Sequence, residues 1–479
     1  MSRKDKKGSL LPAEMQGLDP EAITLCPLDG RYPDIRDLLA PYFSEYALVK
    51  NRVLVEVAWL TFLLEHVYDS NEILSNFPKD KIPEIMKIYN EFDAIAFNRV
   101  KAIEFEIKHD VNAAQRYVAE QLVARGMGEI SSFVHIGCTS EDITNVAYAK
   151  MLKEALCNVW LPKAYDLINI LGVFAKEYAD VPMLAHTHGQ PATPTTVGKE
   201  FAVFVWRLQN SLEHLESVEI LAKFNGATGN YSAISVALPG YDWPKLCSDF
   251  IELKMDLTFN PVTTQIESHD YMARLFNEVA DFCGILLDFV RDIWQYICLR
   301  YFGQKPVEGE VGSSTMPHKV NPIFFENAEG NLIVAIALCR ALADSLVVSR
   351  MQRDLSDSTK QRNIGLIFGY SLKAILETIK GLSRVIINQQ ILSGDLDGNW
   401  EVLAEAIQQV LRTTGDPKAY DKVKALTRGK EIDRVDILSL IEHCDELSDE
   451  QRKMLLDLTP AKYTGYAGEI ANFVASLIS

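Results

Sequence analysis

Two polar segments of this 479-residue sequence contain the side chains best suited to moving protons. In the first, from His186 to Thr196, two histidines, two prolines and a glycine precede an apolar helical pattern that begins at Val197. The prolines and the glycine indicate a rigid loop that enters this helix. A zinc site is the alternative, but a His-x-His pair without a nearby cysteine or an H-E-x-x-H motif supports it only weakly.

The second segment runs from Gly303 to Asn331 and contains three glycines in its first ten residues. Such a segment is typical of a mobile lid over an active site, or of a flexible connector. A simple connector does not require the serine, lysine, asparagine and glutamate side chains that follow the glycines. A phosphate-binding P-loop is excluded, because no Gly-Lys-Ser/Thr follows the glycines.

Two further polar segments have both a structural and a functional interpretation. Lys108–Asn112 contains His109 and Asp110, and by itself it is typical of a helix surface. Thr139 begins a Thr-Ser-Glu-Asp run that is typical of a capped helix N-terminus. The free N–H groups of such an N-terminus can also bind an anion.

Long helices must position these segments. Apolar residues recur at helical spacing from Met272 to Ile293, which predicts a helix of about 30 residues and about 45 Å. Strand patterns are few, and no G-x-G-x-x-G motif follows a strand, so a dinucleotide-binding fold has no support. The sequence predicts an all-α fold built as a bundle, because such wide apolar faces need several neighbours. The other predicted helices are Glu45–Leu64, Glu104–Ala124, Val197–Phe224, Asn331–Val348 and Leu366–Gln390.

Breaks in the helical pattern divide the chain into three predicted helical domains. The first comprises residues 1–128, of which residues 1–20 are polar and read as a loosely ordered extension. The second is the central long-helix bundle, residues 129–375. The third, residues 376–479, is smaller and more highly charged.

Composition narrows the class of function. A net charge of −17 argues against binding nucleic acid or an anionic membrane, whereas an anionic small substrate would need a local cluster of Arg or Lys. The eight cysteines form no C-x-x-C pair, which favours a reducing compartment. The N-terminus has no apolar signal region, and the longest apolar run, Leu332–Cys339, is too short for a membrane span. We therefore predict a cytoplasmic location.

The run Gly312-Ser-Ser-Thr-Met-Pro-His-Lys-Val-Asn-Pro322 resembles the signature of the fumarase/aspartase superfamily, whose members eliminate fumarate or a close relative. Within it, the chain resembles the adenylosuccinate lyase family from about Leu25 to its end. One departure is His186, where many relatives carry arginine. The other segments that carry the resemblance are Pro27–Tyr32, Lys108–Val111, Thr187–Pro194, Ser349–Asn363 and Leu426–Lys430.

The resemblance implies roles for individual residues. Ser313 matches the general base, His188 the general acid and Glu326 the carboxylate that keeps this histidine protonated. Lys319 and Asn321 match groups that hold the substrate carboxylate. The matching substrate-binding residues are His109, Asp110, His135, Thr139, Ser140 and Gln265, with Arg31, Tyr32, Arg353, Ser358 and Arg362 at the nucleotide phosphate.

The resemblance also implies substrates and assembly. It predicts two substrates, adenylosuccinate and SAICAR (the succinylcarboxamide imidazole ribotide), with fumarate released from both and AMP or AICAR left behind. It implies no cofactor, no metal, and a homotetramer whose active sites lie at subunit junctions. Two alternatives are another fumarate-releasing enzyme, such as argininosuccinate lyase or fumarase, and an inactive helical scaffold. The arginine set opposes the first, and joint retention of Ser313, His188, Lys319 and Glu326 opposes the second.

Overall fold

The computed structural model describes residues 24–67, 71–306, 316, 319–415, 421, 423 and 432–478. Within them the chain is mostly α-helical and contains three two-stranded sheets. The predicted all-α class is confirmed. Among the described helices, none is both long and apolar enough to cross a membrane.

The helices before the first strand begin and end as follows: α1 Pro27–Gly30, α2 Pro33–Phe43, α3 Glu45–His66, α4 Glu72–Asn76, α5 Ile82–Asn90, α6 Ala94–Ile107, α7 Asp110–Ala124, α8 Ser140–Ala155 and α9 Leu161–Glu177. The later helices are α10 Val197–Glu216, α11 Ser232–Ala237, α12 Trp243–Asp249, α13 Asp270–Cys298, α14 Ile323–Leu346, α15 Ser356–Gln361, α16 Ile364–Leu382, α17 Gln389–Asp397, α18 Ala404–Thr413, α19 Arg434–Glu442, α20 Asp449–Leu456 and α21 Ala467–Ser476.

The strands pair in three places. The antiparallel pair β1 Pro182–Thr187 and β2 Gln190–Thr196 forms a hairpin. The parallel pair is β3 Leu221–Ala222 with β4 Thr258–Phe259, and the second antiparallel pair is β5 Phe302–Gln304 with β6 Val385–Ile387. Short 3-10 or π-helical turns occupy Lys79–Lys81, Gly128–Phe133, Leu156–Trp160, Phe250–Lys254, Trp400–Leu403 and Pro460–Lys462.

Most of the predicted helices are present, with different ends. The helix predicted from Met272 to Ile293 is the 29-residue α13. The single helix predicted over Glu104–Ala124 is wrong: Lys108 adopts a left-handed conformation, with φ of 58°, and separates α6 from α7. Apolar spacing does not reveal this break, because the helical spacing of apolar residues continues from α6 into α7. The pattern from Val197 ends at Glu216, and the one from Leu366 ends at Leu382, because strands β3 and β6 use the next apolar residues.

Contacts divide the chain into two compact units. The first contains residues up to 162, 214–280 and 334–373, and the second contains residues 163–213, 281–333 and 374–479. The division into three domains at residues 128 and 375 stays a prediction. Inside the second unit, Trp400, Leu403, Ile407 and Ile437 belong to one apolar cluster in the C-terminal part of the chain.

Helix α3 is the central element of the first unit. Sixteen of its 22 residues are buried, on all sides of the helix, which is typical of a helix inside a core. Two of the buried residues, Arg52 and Glu56, are charged and lie one turn apart on the same face. Buried charges need partners, and both partners of this pair are predicted site residues.

Candidate active site

Thr139 and Ser140 lie at the N-terminus of α8, in the first unit. Thr139 is the N-cap, and its backbone N–H donates to Asp142 Oδ2 at 2.8 Å, so the predicted capped N-terminus is confirmed. Glu141 and Asp142, in the first turn, are both buried. Their acidic charges are favourable next to the partial positive charge of a helix N-terminus.

Asp142 forms an ion pair with Lys223 in the interior. The Lys223 Nζ lies 2.8 Å from Asp142 Oδ1, and both side chains are fully buried. The backbone N–H groups of Asn225 and Gly226 also donate to this carboxylate, at 3.0 and 3.3 Å. The pair therefore ties the segment after β3 to the start of α8, where Thr139 and Ser140 lie.

We expect Lys223→Met to destabilise the protein by about 3–5 kcal/mol, because Asp142 would keep a buried charge without a cation. The measurement is the urea midpoint of unfolding of the full chain. The matched control is Lys254→Met, whose exposed pair with Glu65 should contribute only about 0–1 kcal/mol. Equal midpoints for the two variants would contradict this assignment.

A pocket of about 310 Å³ brings three predicted substrate-binding residues together. His109, His135 and Ser140 line it, together with Ile107, Asn112, Gln115 and Arg116. His109 is the N-cap of α7, where its Nδ1 accepts from the Asn112 N–H at 3.2 Å. The side chains of His109, His135 and Arg116 give the pocket a basic lining that suits a carboxylate.

Asp110 holds two arginines beside this region. Its Oδ2 lies 2.8 Å from Arg52 and 3.6 Å from Arg362. Burial opposes ionisation, but the Arg52 cation outweighs it, so the pKa of Asp110 lies below its ordinary value. Arg362 also pairs with Glu45 at 2.5 Å, and it remains partly exposed. Asp110 therefore acts as a structural anchor for Arg362 within the first unit.

Arg353 is mostly buried and contacts two buried acidic side chains. Its guanidinium is 2.7 Å from Glu141 and 3.8 Å from Asp357, and it donates to the Gln265 side-chain oxygen at 3.5 Å. His269 lies 3.7 Å from the same Asp357. Burial raises the pKa of the Glu141 carboxyl, although the Arg353 cation opposes the rise.

This network still has unused hydrogen-bonding capacity. Glu141 Oε2 and Arg353 Nε are buried atoms without a hydrogen-bond partner among the described residues, and Asp357 Oδ2 has only its 3.7 Å contact with His269. Buried polar atoms are normally paired, so unpaired ones mark a place where a ligand or a rearrangement can supply the bond. The structure thus brings together Arg353 and Gln265, two residues that the resemblance assigns to substrate binding.

The remaining phosphate candidates lie in the same unit. Arg31 follows directly after α1, and the Tyr32 ring lies under the Lys373 ammonium, 4.6 Å from its centroid. Ser358 lies in α15, where its backbone N–H donates to Asp357 Oδ1 at 2.7 Å. Ser358 and Arg362 are four residues apart, which places them on neighbouring positions of one helical face.

His188 lies at the tip of the β1–β2 hairpin in the second unit. His188 and Gly189 form its two-residue loop between paired residues Thr187 and Gln190, and both have positive φ, 54° and 72°. Positive φ at both positions is the requirement of a type I′ turn. The hairpin therefore presents an exposed imidazole on a short, defined turn.

The other members of the predicted catalytic set are only partly described. Ser313 lies outside the described residues. Lys319 is exposed, and Asn321 is partly buried just before α14. Glu326 is in the first turn of α14, and its carboxylate accepts from the Trp294 indole at 3.2 Å. Among the described residues, no hydrogen bond joins Glu326 to His188.

Sequence reasoning missed the buried charges around the site. Glu56, Arg52 and Lys223 lie in apolar stretches, where they resemble ordinary solvated residues. A charged residue inside an otherwise apolar helical run is a signal for a buried pair, because it cannot reach water. In α3 that signal was present at both Arg52 and Glu56. The described residues contain no group of three His, Cys, Asp or Glu side chains that could share a metal ion.

Comparison with solved structures identifies the fold. The chain matches a fumarate lyase from Mesorhizobium sp. BNC1 with a TM-score of 0.73 and 18% identity, over 93% of this chain and 97% of that one. It matches a 3-carboxy-cis,cis-muconate lactonizing enzyme from Pseudomonas putida with a TM-score of 0.69 and 21% identity, over 93% and 97%. A family model described as lyase matches residues 30–336. The protein is therefore a lyase with the long-helix fold of the fumarase/aspartase type.

The sequence comparisons define the family more closely. A model described as adenylosuccinate lyase C-terminal matches residues 349–464. The chain is 45% identical over 455 residues to the adenylosuccinate lyase of Vibrio cholerae, covering 93% of this chain and 97% of that protein. It is 46% identical over 442 residues to that of Escherichia coli K12, covering 92% and 96%. The chain belongs to the adenylosuccinate lyase family.

Proposed function

We propose that this protein cleaves adenylosuccinate to AMP and fumarate by β-elimination. The observation that carries the proposal is identity of about 45% to adenylosuccinate lyases over nearly the whole of both chains. A second substrate, SAICAR, which would give AICAR and fumarate, is the finer part of the proposal. Both reactions belong to purine nucleotide synthesis.

The reaction needs a base, an acid and a site for negative charge. Ser313 removes the proton from the carbon β to the breaking C–N bond. Lys319 and Asn321 hold the carboxylate that takes up the charge as this proton leaves. His188 then gives a proton to the departing nitrogen, so that the C–N electron pair ends on AMP and the C–C double bond on fumarate. Glu326 keeps His188 protonated.

Binding is assigned to the first unit. The pocket lined by His109, His135 and Ser140 is basic and suits the succinyl carboxylates. Thr139 supplies the helix N-terminus beside it. The residues proposed to bind the phosphate are Arg31, Tyr32, Arg353, Ser358 and Arg362. Gln265 lies next to Arg353 and accepts a hydrogen bond from it. Since Arg353 faces Glu141 without ligand, the phosphate must compete with this carboxylate.

We expect Arg353→Ala to raise the KM for adenylosuccinate by about 10-fold to 100-fold, because a charge-assisted bond to phosphate contributes about 1.5–3 kcal/mol. Turnover at saturating substrate should change far less. The matched control is Arg350→Ala, because Arg350 is 84% exposed and three residues away. If the KM of Arg353→Ala equals that of Arg350→Ala, Arg353 does not bind phosphate.

A homotetramer with shared active sites is the assembly we propose. Several long helices carry exposed large apolar side chains, which are available for contact with other subunits. These include Val173 of α9, Trp206 of α10, Trp294 of α13 and Ile333 of α14. Helices from neighbouring subunits would cover them and bring distant segments of different chains together. The cytoplasmic location also stays a prediction.

One assay separates the alternatives. The purified protein is incubated in turn with adenylosuccinate, argininosuccinate and malate, and the fumarate released is measured by the ultraviolet absorbance of its conjugated double bond. Release from adenylosuccinate alone supports the proposal. Release from argininosuccinate or malate instead would identify a different lyase of this fold, and no release from any of the three would identify an inactive scaffold.

A further inference from the structure

A carboxylate that lies outside the assigned catalytic set contacts one of the pocket histidines. The His135 Nδ1 lies 2.6 Å from Glu56 Oε1, which is a short hydrogen bond. Glu56 is fully buried, and the imidazole of His135 is 17% exposed. The second oxygen of Glu56 is buried and has no partner among the described residues. Among the described residues, His135 is therefore the side-chain hydrogen-bond partner of the Glu56 carboxylate.

The fold positions both groups rigidly. Glu56 projects from α3, and the residues around it on that helix are buried on every side. Its side chain therefore cannot turn to solvent. Arg52, one turn earlier on the same face, forms its ion pair with Asp110, and among the described residues no ion pair joins it to Glu56. His135 has a left-handed backbone, with φ of 68°, and the next carbonyl, of Ile136, accepts from the Trp59 indole at 3.1 Å.

We propose that Glu56 is a positioning residue that holds His135 as an imidazolium. In this state the Nδ1–H of His135 donates to Glu56, and the Nε2–H is available to a ligand in the pocket. There the Nε2–H donates to a carboxylate of the dicarboxylic part of the substrate. Fixing one ring nitrogen with a carboxylate determines which proton the other presents. This role deepens the proposed function and rests on it.

The electrostatic surroundings of His135 agree with this role. Burial lowers the pKa of His135, but the hydrogen bond and the negative charge of Glu56 outweigh burial, so the pKa lies above its ordinary value. A histidine with a raised pKa keeps its charge to higher pH and loses it as the pH rises through that pKa. Asp142 of α8, which is paired with Lys223, also acts on the charge of His135. His109 and Arg116 line the same pocket, and the partly buried Cys138 thiol lies three residues along the chain.

The direct test reads the protonation of His135 in the intact enzyme. The protein is labelled with 15N-histidine, and solid-state NMR spectra are recorded from pH 6 to 9; His135 is assigned by the signals lost in His135→Gln. We expect both ring nitrogens of His135 to be protonated at neutral pH, with a titration midpoint above the ordinary value for a histidine. A neutral His135 at pH 7, or a signal with unprotonated Nδ1, would overturn the proposal, whatever the substrate is.

The kinetic test compares variants across pH. In Glu56→Gln, we expect the alkaline limb of kcat/KM for adenylosuccinate to move about one pH unit or more toward acid, because the stabilising charge is lost. At pH 8 the loss should be about 10-fold greater than at pH 6, and Glu56→Asp should restore most of the profile. Glu65→Gln, the same change on the exposed end of α3, should leave the profile unchanged.

The two tests separate the outcomes. A uniform loss at every pH would show a merely structural role for Glu56 and contradict the proposal. If Glu56→Gln fails to fold, the NMR spectra of the wild-type protein still show whether His135 is protonated on both ring nitrogens. If the protein does not act on adenylosuccinate, the proposed function fails by itself, while the NMR continues to report on the pair.

Discussion

Ser313→Ala should lower turnover of adenylosuccinate by about 10²-fold to 10⁴-fold while leaving folding intact, because general-base catalysis contributes gains of that size. The hydroxyl interacts with the substrate mainly in the transition state, so affinity for the bound substrate should hardly change. The measurements are steady-state kinetics and calorimetric titration of the variant with adenylosuccinate.

The control for Ser313→Ala is Ser345→Ala, in α14, which should turn over normally. Near-normal turnover of Ser313→Ala would remove Ser313 from the role of base. A loss of substrate affinity equal to the loss of turnover would instead assign Ser313 to binding.

His188→Gln should also lower turnover by about 10²-fold to 10⁴-fold, because glutamine keeps hydrogen bonding but cannot deliver a proton near neutral pH. In the proposed tetramer, His188 and Ser313 of one active site come from different chains. Mixing the two inactive variants, Ser313→Ala and His188→Gln, should then restore activity to about a quarter of the wild-type value after random subunit exchange.

The mixing experiment needs proof of exchange. A tag on one variant allows pull-down of hybrid tetramers, and each variant incubated alone serves as the inactive control. Hybrids that form but stay as inactive as their components would place His188 and Ser313 in the same chain. The shared-site architecture would then be wrong.

The polar segments that carry the chemistry could be recognised from sequence, because each interrupts an apolar helical pattern. The start of α8 at Thr139 and the helix beginning at Val197 agree with the structure, since capping residues and prolines act locally. The β1–β2 hairpin that holds His188 was not predicted. The turn of this hairpin requires a positive φ at His188, and a histidine in the sequence gives no indication of a positive φ.

The buried charges were harder to predict. Lys223 and Asp142 are 81 residues apart, and only the folded chain brings them within 2.8 Å. The same holds for Glu56 and His135, which are 79 positions apart. Periodicity reports which face of a helix is apolar, but it does not identify the partner of a charge on that face. The placement of Arg353 against Glu141 is likewise a property of the fold.

The two compact units carry different groups of the predicted site residues. The first unit supplies preformed, charge-paired surfaces: the pocket at His135, the Asp110–Arg362 pair and the Arg353 network. The second unit presents His188 on a hairpin tip and Glu326 on the first turn of α14. The residues proposed for binding are thus held by ion pairs, whereas the proposed acid lies on an exposed turn.

The central claim is that the C–N bond breaks by elimination rather than by hydrolysis, and proton NMR of the reaction mixture tests it most directly. With adenylosuccinate as the sole substrate, we predict that the fumarate vinyl signal and the AMP signals grow in equal amounts, at a rate that Ser313→Ala lowers by orders of magnitude. Formation of aspartate and IMP would mean that water had cleaved the bond to the purine ring, and an unchanged spectrum would mean that adenylosuccinate is not a substrate. Either result would contradict the account.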